Sequence, residues 1–417
     1  MDIWHIHGGR RLEGACHIQG SKNASLPILA ASIVRPVRAE LSNVPRLRDV
    51  DAALRILRHL GCRAEQQGSE VYIDSTGLTR SAIPHALMEE MRSSVIFMGA
   101  LIARCGEARL SLPGGCQLGK RPIDLHLAAL RQLGAVIEED GGEILCRGGK
   151  LRGSKIELPF PSVGATENVM LAACAAEGET VLTGAAREPE IEALQDFLSA
   201  MGAKISGAGS DRIVIYGMEP QSVLSASIPS DRIVAATIAC AAAATGGSVE
   251  LRDVDPRQFS TVLHFLNRAG CVIINRNQSL RLLAPVRLRG VGALSTAPYP
   301  GFPTDAQPVL MAALLKSRGT TRITETIFEN RFRQAPELCR LGADICVSGR
   351  VAEIRGVERL HGAALTAGDL RGGAAMILGG LAAEGETLVR DEGHVMRGYE
   401  ELDLRLRELG ADIEKEE

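Results

Sequence analysis

The chain has few aromatic side chains and no excess of charge of either sign. Its 417 residues include 1 Trp, 4 Tyr and 8 Phe, too few to provide the stacking platforms on which proteins hold single-stranded nucleic acids. The formal net charge is −3, so the sequence lacks the positive excess typical of proteins that bind nucleic acid or anionic membranes. We therefore expect neither a nucleic-acid partner nor a membrane partner.

Long apolar runs and closely spaced cysteines are also missing. No run approaches the roughly 20 apolar residues that cross a bilayer, and the first residues, MDIWHIHGGRRLEG, lack the apolar centre of a signal peptide. The ten cysteines show no tight spacing, which predicts reduced thiols and neither a disulfide framework nor a zinc site. These absences predict a globular, cytoplasmic protein, whose length suits two domains of about 200 residues each.

An internal repeat is the clearest positive feature of the sequence. A phrase of the form "LGA, then apolar" occurs six times at intervals of 68 to 73 residues, with its glycines at Gly61, Gly134, Gly202, Gly270, Gly342 and Gly410. Between these phrases lie Ala-rich apolar segments, each followed by a turn and a β-like run, such as NVMLAACAAEGETVLTG. Each unit therefore predicts a helix, a strand, a second helix, a glycine C-cap and a β-hairpin.

The sixth unit lacks the second strand of its hairpin, because the chain stops soon after Ile413. The N-terminal segment DIWHIHG resembles DRIVIYG of the third unit, so we expect the N-terminal strand to complete the last unit. The expected domains are residues 22–229, which carry a cysteine loop at 112–121, and residues 1–21 with 230–417. Six units of this kind are also compatible with an open solenoid.

A charged residue stands near the start of each Ala-rich segment. Helix N-termini offer partial positive charge and free N–H groups, which suit anionic ligands, and equivalent positions of repeated units are expected to converge on one cleft. Individually, each of these charges is compatible with a solvated surface position. The six residues are Lys22, Arg92, Glu167, Arg232, Asp305 and Arg371.

Two further features point to an anion site with thiol chemistry. Arg331 in FENRF and Arg397 in HVMRGYE add guanidinium groups, which pair with carboxylate and phosphate. In SLPGGCQLGKRPIDL, Cys116 lies in a glycine-rich loop shortly before Lys120 and Arg121. Cations near a thiol favour its reactive thiolate form, although a loop cysteine without function is the alternative.

Eight segments of the chain are similar, in the same order, to motifs of one enzyme family. The family is the UDP-N-acetylglucosamine 1-carboxyvinyltransferases, which are enolpyruvyl transferases. The segments are GSKNASLPILAAS, LPGGCQLGKRPIDLH, SVGATENVMLAA, AAREPEI, FPTDAQ, ITETIFENRF, DLRGGAA and MRGYEEL.

This resemblance implies a fold and a reaction. The fold is an α/β fold with two domains, each an inside-out α/β barrel of three units of about 70 residues, with helices inside and sheets outside. The reaction is transfer of the enolpyruvyl group of phosphoenolpyruvate to the 3′-hydroxyl of UDP-N-acetylglucosamine, with release of phosphate, at the first committed step of peptidoglycan synthesis. The resemblance implies no metal and no organic cofactor.

The resemblance also implies roles for individual residues. Cys116 matches the general acid and Asp305 the base or orienting group for the sugar hydroxyl. The positions matching the phosphoenolpyruvate contacts are Lys22, Asn23, Arg121 and Arg397. Those matching the sugar-nucleotide contacts are Arg92, Arg121, Pro122, Ile123, Asp124, Leu125, Ser162, Val163, Gly164, Asp305 and Ile327. Further cleft positions are Arg331, Asp369 and Arg371.

Three other functions stay open at this point. The related shikimate-pathway transferase performs the same chemistry on a different alcohol, but the resemblance implies that it lacks the loop of Cys116. A non-catalytic paralogue that senses the sugar nucleotide would not need the complete set of matched residues. A thiol hydrolase would need His126 as the base for Cys116. The oligomeric state is not indicated by the sequence.

Overall fold

The computed structural model describes residues 1–91, 93–111, 123–219 and 223–416. The described chain divides into two compact units. We call residues 20–111, 123–219 and 223–229 the central unit, and residues 1–19 with 230–416 the terminal unit. Each is described by itself.

Thirteen α-helices occur in the described ranges. The same ranges contain three short 3₁₀ helices, at Ser94–Ile96, Pro256–Phe259 and Val395–Arg397. The helices are α1 (Lys22–Ala31), α2 (Arg48–His59), α3 (His85–Glu90), α4 (Phe97–Cys105), α5 (Asp124–Gln132), α6 (Val163–Ala173), α7 (Pro189–Ala200), α8 (Arg232–Thr245), α9 (Ser260–Arg268), α10 (Gln307–Ala313), α11 (Ala335–Arg340), α12 (Leu370–Ala382) and α13 (Leu402–Glu408).

The strands of the described chain form six four-stranded sheets. They are β1 (Asp2–His7), β2 (Glu13–His17), β3 (Arg38–Ser42), β4 (Arg63–Gln67), β5 (Glu70–Asp74), β6 (Ala82–Ile83), β7 (Glu107–Ser111), β8 (Val136–Asp140), β9 (Glu143–Arg147), β10 (Lys155–Glu157), β11 (Thr180–Thr183), β12 (Ala203–Ser206), β13 (Arg212–Met218), β14 (Val223–Ser227), β15 (Ser248–Arg252), β16 (Val272–Arg276), β17 (Ser279–Leu283), β18 (Gly292–Ser295), β19 (Thr320–Thr324), β20 (Asp344–Ser348), β21 (Val351–Arg355), β22 (Ala364–Ala367), β23 (Glu386–Asp391) and β24 (Asp412–Glu416).

All six sheets share one arrangement. Two parallel strands lie side by side, and an antiparallel hairpin continues the sheet from the second of them, as in the order β10-β11-β13-β12. In the last sheet, β1 lies between β23 and β24 and is antiparallel to both. There it takes the place that the second hairpin strand has in the other five sheets. The N-terminal strand therefore completes the sixth unit.

One parallel strand in each sheet is missing from the sequence-based description of the repeat. β6 has two residues and β10 has three, too few for an alternating pattern to be visible. In two sheets this strand also comes from a distant part of the chain. β14 pairs with β3 in the central unit, and β2 pairs with β15 in the terminal unit.

The Ala-rich helices form the interior of each unit. In α8, every residue from Arg232 to Ala243 is buried, and α8, α10 and α12 pack against one another. Small side chains also permit α12 to approach its other neighbours closely: a Cβ on Gly379 would lie 2.7 Å from Cδ1 of Leu341, the residue that follows α11. With helices inside and sheets outside, the α/β inside-out barrel expected from the sequence is confirmed. No helix in the described part of the chain is long and apolar enough to cross a membrane.

Candidate active site

Asp305 lies between two buried arginines of the terminal unit. Arg331 Nη2 donates to Asp305 Oδ1 at 2.6 Å, and Arg371 donates to Oδ2 from Nε at 3.2 Å and from Nη2 at 3.0 Å. The side chains of the arginines are 2% and 3% exposed, whereas that of Asp305 is 31% exposed. The two arginines thus hold and orient a carboxylate that is itself only partly buried.

A buried glutamate fixes the backbone around Asp305. Glu325 is 1% exposed. Its Oε1 accepts hydrogen bonds from Thr296 Oγ1 and from the backbone N–H groups of Ile327 and Phe328, at 2.8 to 3.1 Å. Its Oε2 accepts from the hydroxyl of Thr304 at 3.0 Å. This one carboxylate therefore holds the residue before Asp305 and the segment that leads to Arg331.

The position of Arg371 is set by the start of α12. Asp369 is the N-cap, and its Oδ1 accepts from the backbone N–H groups of Arg371 and Gly372 at 3.1 and 3.0 Å, which satisfies otherwise unpaired helix donors. The Arg371 guanidinium stands 5.4 Å from the centre of the Tyr399 ring. Burial would lower the pKa of Arg371, but the charge of Asp305 acts together with Tyr399 and Asp231, and their combined effect raises that pKa.

The first turns of α8 lie next to Tyr399 and Arg371. Tyr399 is fully buried, and its hydroxyl lies 2.9 Å from Thr237 Oγ1. Burial raises the pKa of Tyr399 against the opposing charge of Arg371. Asp231 caps α8 by accepting from the N–H groups of Ile233 and Val234. Arg232, the charge at this helix start, stacks 5.4 Å above the Tyr299 ring.

Arg397 ends the last 3₁₀ turn of the terminal unit and is half-buried. The turn is held by Asp391, whose carboxylate accepts from the backbone N–H groups of His394 and Val395 at 2.8 and 3.0 Å. Burial would raise the pKa of Asp391, but these hydrogen bonds and that of the His394 side chain leave it lowered. Asp391 was not identified from the sequence.

Lys22 and Asn23 open α1 in the central unit. Ser21 is the N-cap and accepts from the N–H of Ala24 at 3.2 Å. Lys22 Nζ lies 3.2 Å from Oδ2 of Asp49, which is 2% exposed, and Asn23 is half-buried. Asp49 lies in the first turn of α2, where it also complements the helix dipole. The sequence did not single it out, because its partner is 27 residues away.

Two segments of the matched nucleotide positions lie near each other in the central unit. Ser162 is the N-cap of α6, and Val163 and Gly164 are its first residues. Ile123 is the N-cap of α5, and Asp124 and Leu125 are its first residues. α5 packs against α6. Ile327, matched to the sugar, lies in the terminal unit beside Glu325.

Glu167 does not lie at a helix start, where the sequence pattern placed it. It is the fifth residue of α6 and is 6% exposed. Burial, together with the charges of Glu190 and Glu188, raises its pKa well above the usual value. Glu167 is therefore a buried carboxyl group whose surroundings favour the protonated form. Arg92, Cys116, Arg121 and Pro122 lie outside the described residues.

Comparison with known proteins identifies the family. The sequence model of the family described as EPSP synthase (3-phosphoshikimate 1-carboxyvinyltransferase) matches residues 6–406. UDP-N-acetylglucosamine 1-carboxyvinyltransferase 2 of Caldanaerobacter subterraneus is 48% identical over 413 residues, 99% of each chain. UDP-N-acetylglucosamine 1-carboxyvinyltransferase of Zymomonas mobilis is 46% identical over 424 residues, covering 100% of this chain and 99% of the relative.

Solved structures agree on the fold. The enolpyruvyl transferase NikO of Streptomyces tendae superimposes with a TM-score of 0.89 at 26% identity, over 99% of this chain and 98% of that one. EPSP synthase of Acinetobacter baumannii has a TM-score of 0.76 at 22% identity, over the full length of both chains, and supports the fold alone. The chain belongs to the EPSP synthase family of enolpyruvyl transferases, within its group of UDP-N-acetylglucosamine 1-carboxyvinyltransferases.

Proposed function

We propose that the protein transfers the enolpyruvyl group of phosphoenolpyruvate to the 3′-hydroxyl of UDP-N-acetylglucosamine and releases phosphate. This is the first committed step of peptidoglycan synthesis and takes place in the cytoplasm. The chain is 48% identical over its full length to a UDP-N-acetylglucosamine 1-carboxyvinyltransferase, which supports UDP-N-acetylglucosamine as the acceptor. The observation that carries the chemistry is the partly exposed Asp305, oriented by Arg331 and Arg371.

The reaction is an addition followed by an elimination. The 3′-hydroxyl oxygen bonds to C2 of phosphoenolpyruvate, its proton leaves, and a proton adds to C3, which becomes a methyl group. A C3 proton is then lost as the bond between C2 and the phosphate oxygen breaks. The double bond re-forms, and inorganic phosphate leaves.

Asp305 is proposed to act on the acceptor hydroxyl. Its carboxylate accepts the hydroxyl hydrogen bond, aims the oxygen at C2, and takes up the proton or passes it on. Such positioning removes much of the entropic barrier to a reaction between two bound molecules. Because both of its oxygens already accept hydrogen bonds from guanidinium groups, the carboxylate is held in one orientation, and we propose that this orientation is its main contribution.

Cys116 is proposed to supply the proton for C3, as the general acid. The proposed phosphoenolpyruvate contacts are Lys22, Asn23, Arg121 and Arg397, whose cations stabilise the charge of the phosphate and carboxylate groups. Lys22 is held in place by Asp49. Two further residues, Arg331 and Arg371, orient Asp305. Asp369 in turn holds the backbone of Arg371.

The sugar nucleotide is proposed to lie along the starts of α5 and α6. A helix N-terminus favours a diphosphate because its free N–H groups and its dipole both attract negative charge. The proposed contacts are Arg92, Arg121, Pro122, Ile123, Asp124, Leu125, Ser162, Val163 and Gly164, with Asp305 and Ile327 near the sugar.

The decisive experiment measures phosphate released from phosphoenolpyruvate with UDP-N-acetylglucosamine, with 3-phosphoshikimate, or with no acceptor. We expect release with the sugar nucleotide only, and strong loss of release in Cys116→Ser. Cys346→Ser is the control, because Cys346 is exposed and has no proposed role. Release with 3-phosphoshikimate alone, or tight binding of the sugar nucleotide without release, would overturn the proposal.

A further inference from the structure

Asn168 connects three elements of the central unit through one buried amide. Its Oδ1 accepts from the backbone N–H of Gly99 at 2.7 Å, and its Nδ2 lies 3.1 Å from the carbonyl oxygen of Val95 and 2.7 Å from Nδ1 of His126. Asn168 is fully buried. A backbone N–H can only donate and a carbonyl can only accept, so the two partners on α4 and its preceding turn determine which way the amide faces.

This amide orientation determines the tautomer of His126. One proton of the Asn168 NH₂ group goes to the Val95 carbonyl, and the other points at His126 Nδ1. Nδ1 must therefore be the hydrogen-bond acceptor, and the proton of the neutral imidazole lies on Nε2. His126 is 7% exposed, and burial lowers its pKa to about 4, so the ring is neutral at physiological pH.

The edge of the ring that carries the Nε2 proton faces the start of α6. A Cβ built on Gly164 would lie 2.8 Å from His126 Cε1 and 3.2 Å from Nε2. None of the described residues accepts a hydrogen bond from Nε2 or from the backbone N–H groups of Val163 and Gly164. A buried donor thus lies beside the free donors of a helix N-terminus.

We infer that Asn168 is a positioning residue that fixes His126 as an Nε2–H donor to an anionic oxygen bound at the start of α6. This inference rests on the proposed function, in which that oxygen belongs to the diphosphate of the sugar nucleotide. A neutral donor with a fixed proton keeps its hydrogen bond constant across physiological pH. An imidazole free to change tautomer would lose that donor and would present a lone pair to the anion instead.

No charged group accounts for the state of His126, because burial alone lowers its pKa. The elements packed around His126 nevertheless carry other titratable groups. Because these groups can also change affinity with pH, each variant is compared with the wild type at the same pH. These groups are Glu167 on α6, Lys155 and Glu157 on β10, Glu138, Glu139 and Asp140 on β8, Arg104 on α4, and Asp124 and Arg131 on α5.

The test uses Asn168→Asp, which keeps the shape of the side chain and its acceptor for Gly99 but, as a carboxylate, cannot donate to His126. In this variant Nδ1 must carry a proton. At alkaline pH the neutral ring then offers a lone pair at Nε2, and affinity for UDP-N-acetylglucosamine falls about tenfold, the usual effect of losing a hydrogen bond to a charged group. At acidic pH the ring becomes imidazolium and the donor returns.

We therefore expect the ratio of variant to wild-type affinity, measured by calorimetry between pH 6 and 8.5, to rise as pH falls. His126→Gln keeps a donor near the position of Nε2 and retains more affinity than His126→Leu. In the His126→Gln background, Asn168→Asp no longer changes affinity with pH. The inference would be overturned if the affinity of Asn168→Asp relative to the wild type did not change with pH. Equal affinities of His126→Gln and His126→Leu would also overturn it.

A second measurement does not depend on folding of the variants. Nitrogen-15 NMR of the wild-type imidazole is expected to show an unprotonated Nδ1 and a protonated Nε2 for His126 at pH 7; a protonated Nδ1 would overturn the inference. The wild-type protein separates the two proposals. If it does not bind UDP-N-acetylglucosamine, the proposed function fails, whereas wild-type binding with a flat variant ratio contradicts the role of Asn168 alone.

Discussion

Arg371 approaches Asp305 from one side and donates twice to the same oxygen, Oδ2, from Nε at 3.2 Å and from Nη2 at 3.0 Å. Arg331 occupies the other oxygen, Oδ1. With both oxygens held by planar, buried guanidinium groups, the carboxylate cannot rotate freely. Its direction is therefore fixed before a substrate arrives.

The first prediction concerns the geometry of this cluster. Arg371→Lys keeps the positive charge but loses the planar pair of donors, so Asp305 gains freedom to rotate. We expect kcat to fall roughly 100-fold, as small misplacements of reacting groups do, with a much smaller change in KM. Steady-state phosphate release measures both. Arg322→Lys on the exposed side of β19 is the control, and an unchanged kcat in Arg371→Lys would refute a positioning role.

A second prediction concerns Glu325. Glu325→Ala removes the acceptor of one buried donor, the Thr296 hydroxyl, and of three half-buried ones, and a donor left unsatisfied away from water costs about 1–3 kcal/mol. We expect a lower free energy of unfolding in urea and a lower kcat, because Thr304 and the segment before Arg331 lose their anchor. Glu325→Gln retains an oxygen for the N–H groups and should lie much closer to the wild type. Equal losses in the two variants would mean that the charge of Glu325, and not its hydrogen bonds, is what the site requires.

Gly164 supplies a third prediction. Gly164→Ala places a Cβ 2.8 Å from His126 Cε1, so the ring has to move. We expect the KM for UDP-N-acetylglucosamine to rise about tenfold, while the KM for phosphoenolpyruvate changes little. The free energy of unfolding should change little, because the higher helix propensity of alanine opposes the cost of displacing the buried ring. Val163→Ala is the control, since only the backbone of Val163 is proposed to bind; similar kinetic defects in the two variants would argue against the contact with His126.

The fourth prediction follows from the raised pKa of Glu167. The folded protein holds this proton more tightly than the unfolded chain does, so Glu167 contributes stability at acidic pH that is lost as the pH rises toward the folded-state pKa. Glu167→Gln removes the ionisation, and we expect the variant to be more stable than the wild type at pH 8 but not at pH 4. Urea unfolding at the two pH values measures this. Glu177→Gln, at an exposed position, is the control and should show no difference between the two pH values. If Glu167→Gln also shows no difference, the carboxyl group of Glu167 ionises normally and the prediction is wrong.

The sequence predicts the repeated part of the fold well, because each unit carries its own local signals. A glycine after the second helix and an alternating strand recur in all six units, and the similarity of DIWHIHG to DRIVIYG identifies the N-terminal strand of the last sheet. The extra parallel strand could not be seen. β6 and β10 have only two and three residues, too few to repeat an alternating pattern, and β14 pairs with β3, which lies far from it in the sequence.

For the candidate site, sequence reasoning found the charges but not their partners. Asp305 and Arg371 were both singled out, yet nothing local indicates that residues 66 positions apart share a hydrogen bond. Asp49 was missed for the same reason, because its partner Lys22 lies 27 residues away. Glu325 and Asp391 accept from backbone N–H groups only two to four residues further on, but a single carboxylate before a turn is too common a pattern to indicate a site. Glu167 was misplaced because helix periodicity does not distinguish a first turn from a second one. Which residues act on which substrate stays a prediction.

The central claim is tested most directly by identifying the product. The protein is incubated with phosphoenolpyruvate and either UDP-N-acetylglucosamine or 3-phosphoshikimate, and the acceptor is recovered and examined by mass spectrometry and proton NMR. We predict an enolpyruvyl ether on the 3′-oxygen of the sugar nucleotide, with one phosphate released for each molecule formed, and an unchanged 3-phosphoshikimate. Recovery of unmodified UDP-N-acetylglucosamine alongside enolpyruvylated 3-phosphoshikimate would contradict the account.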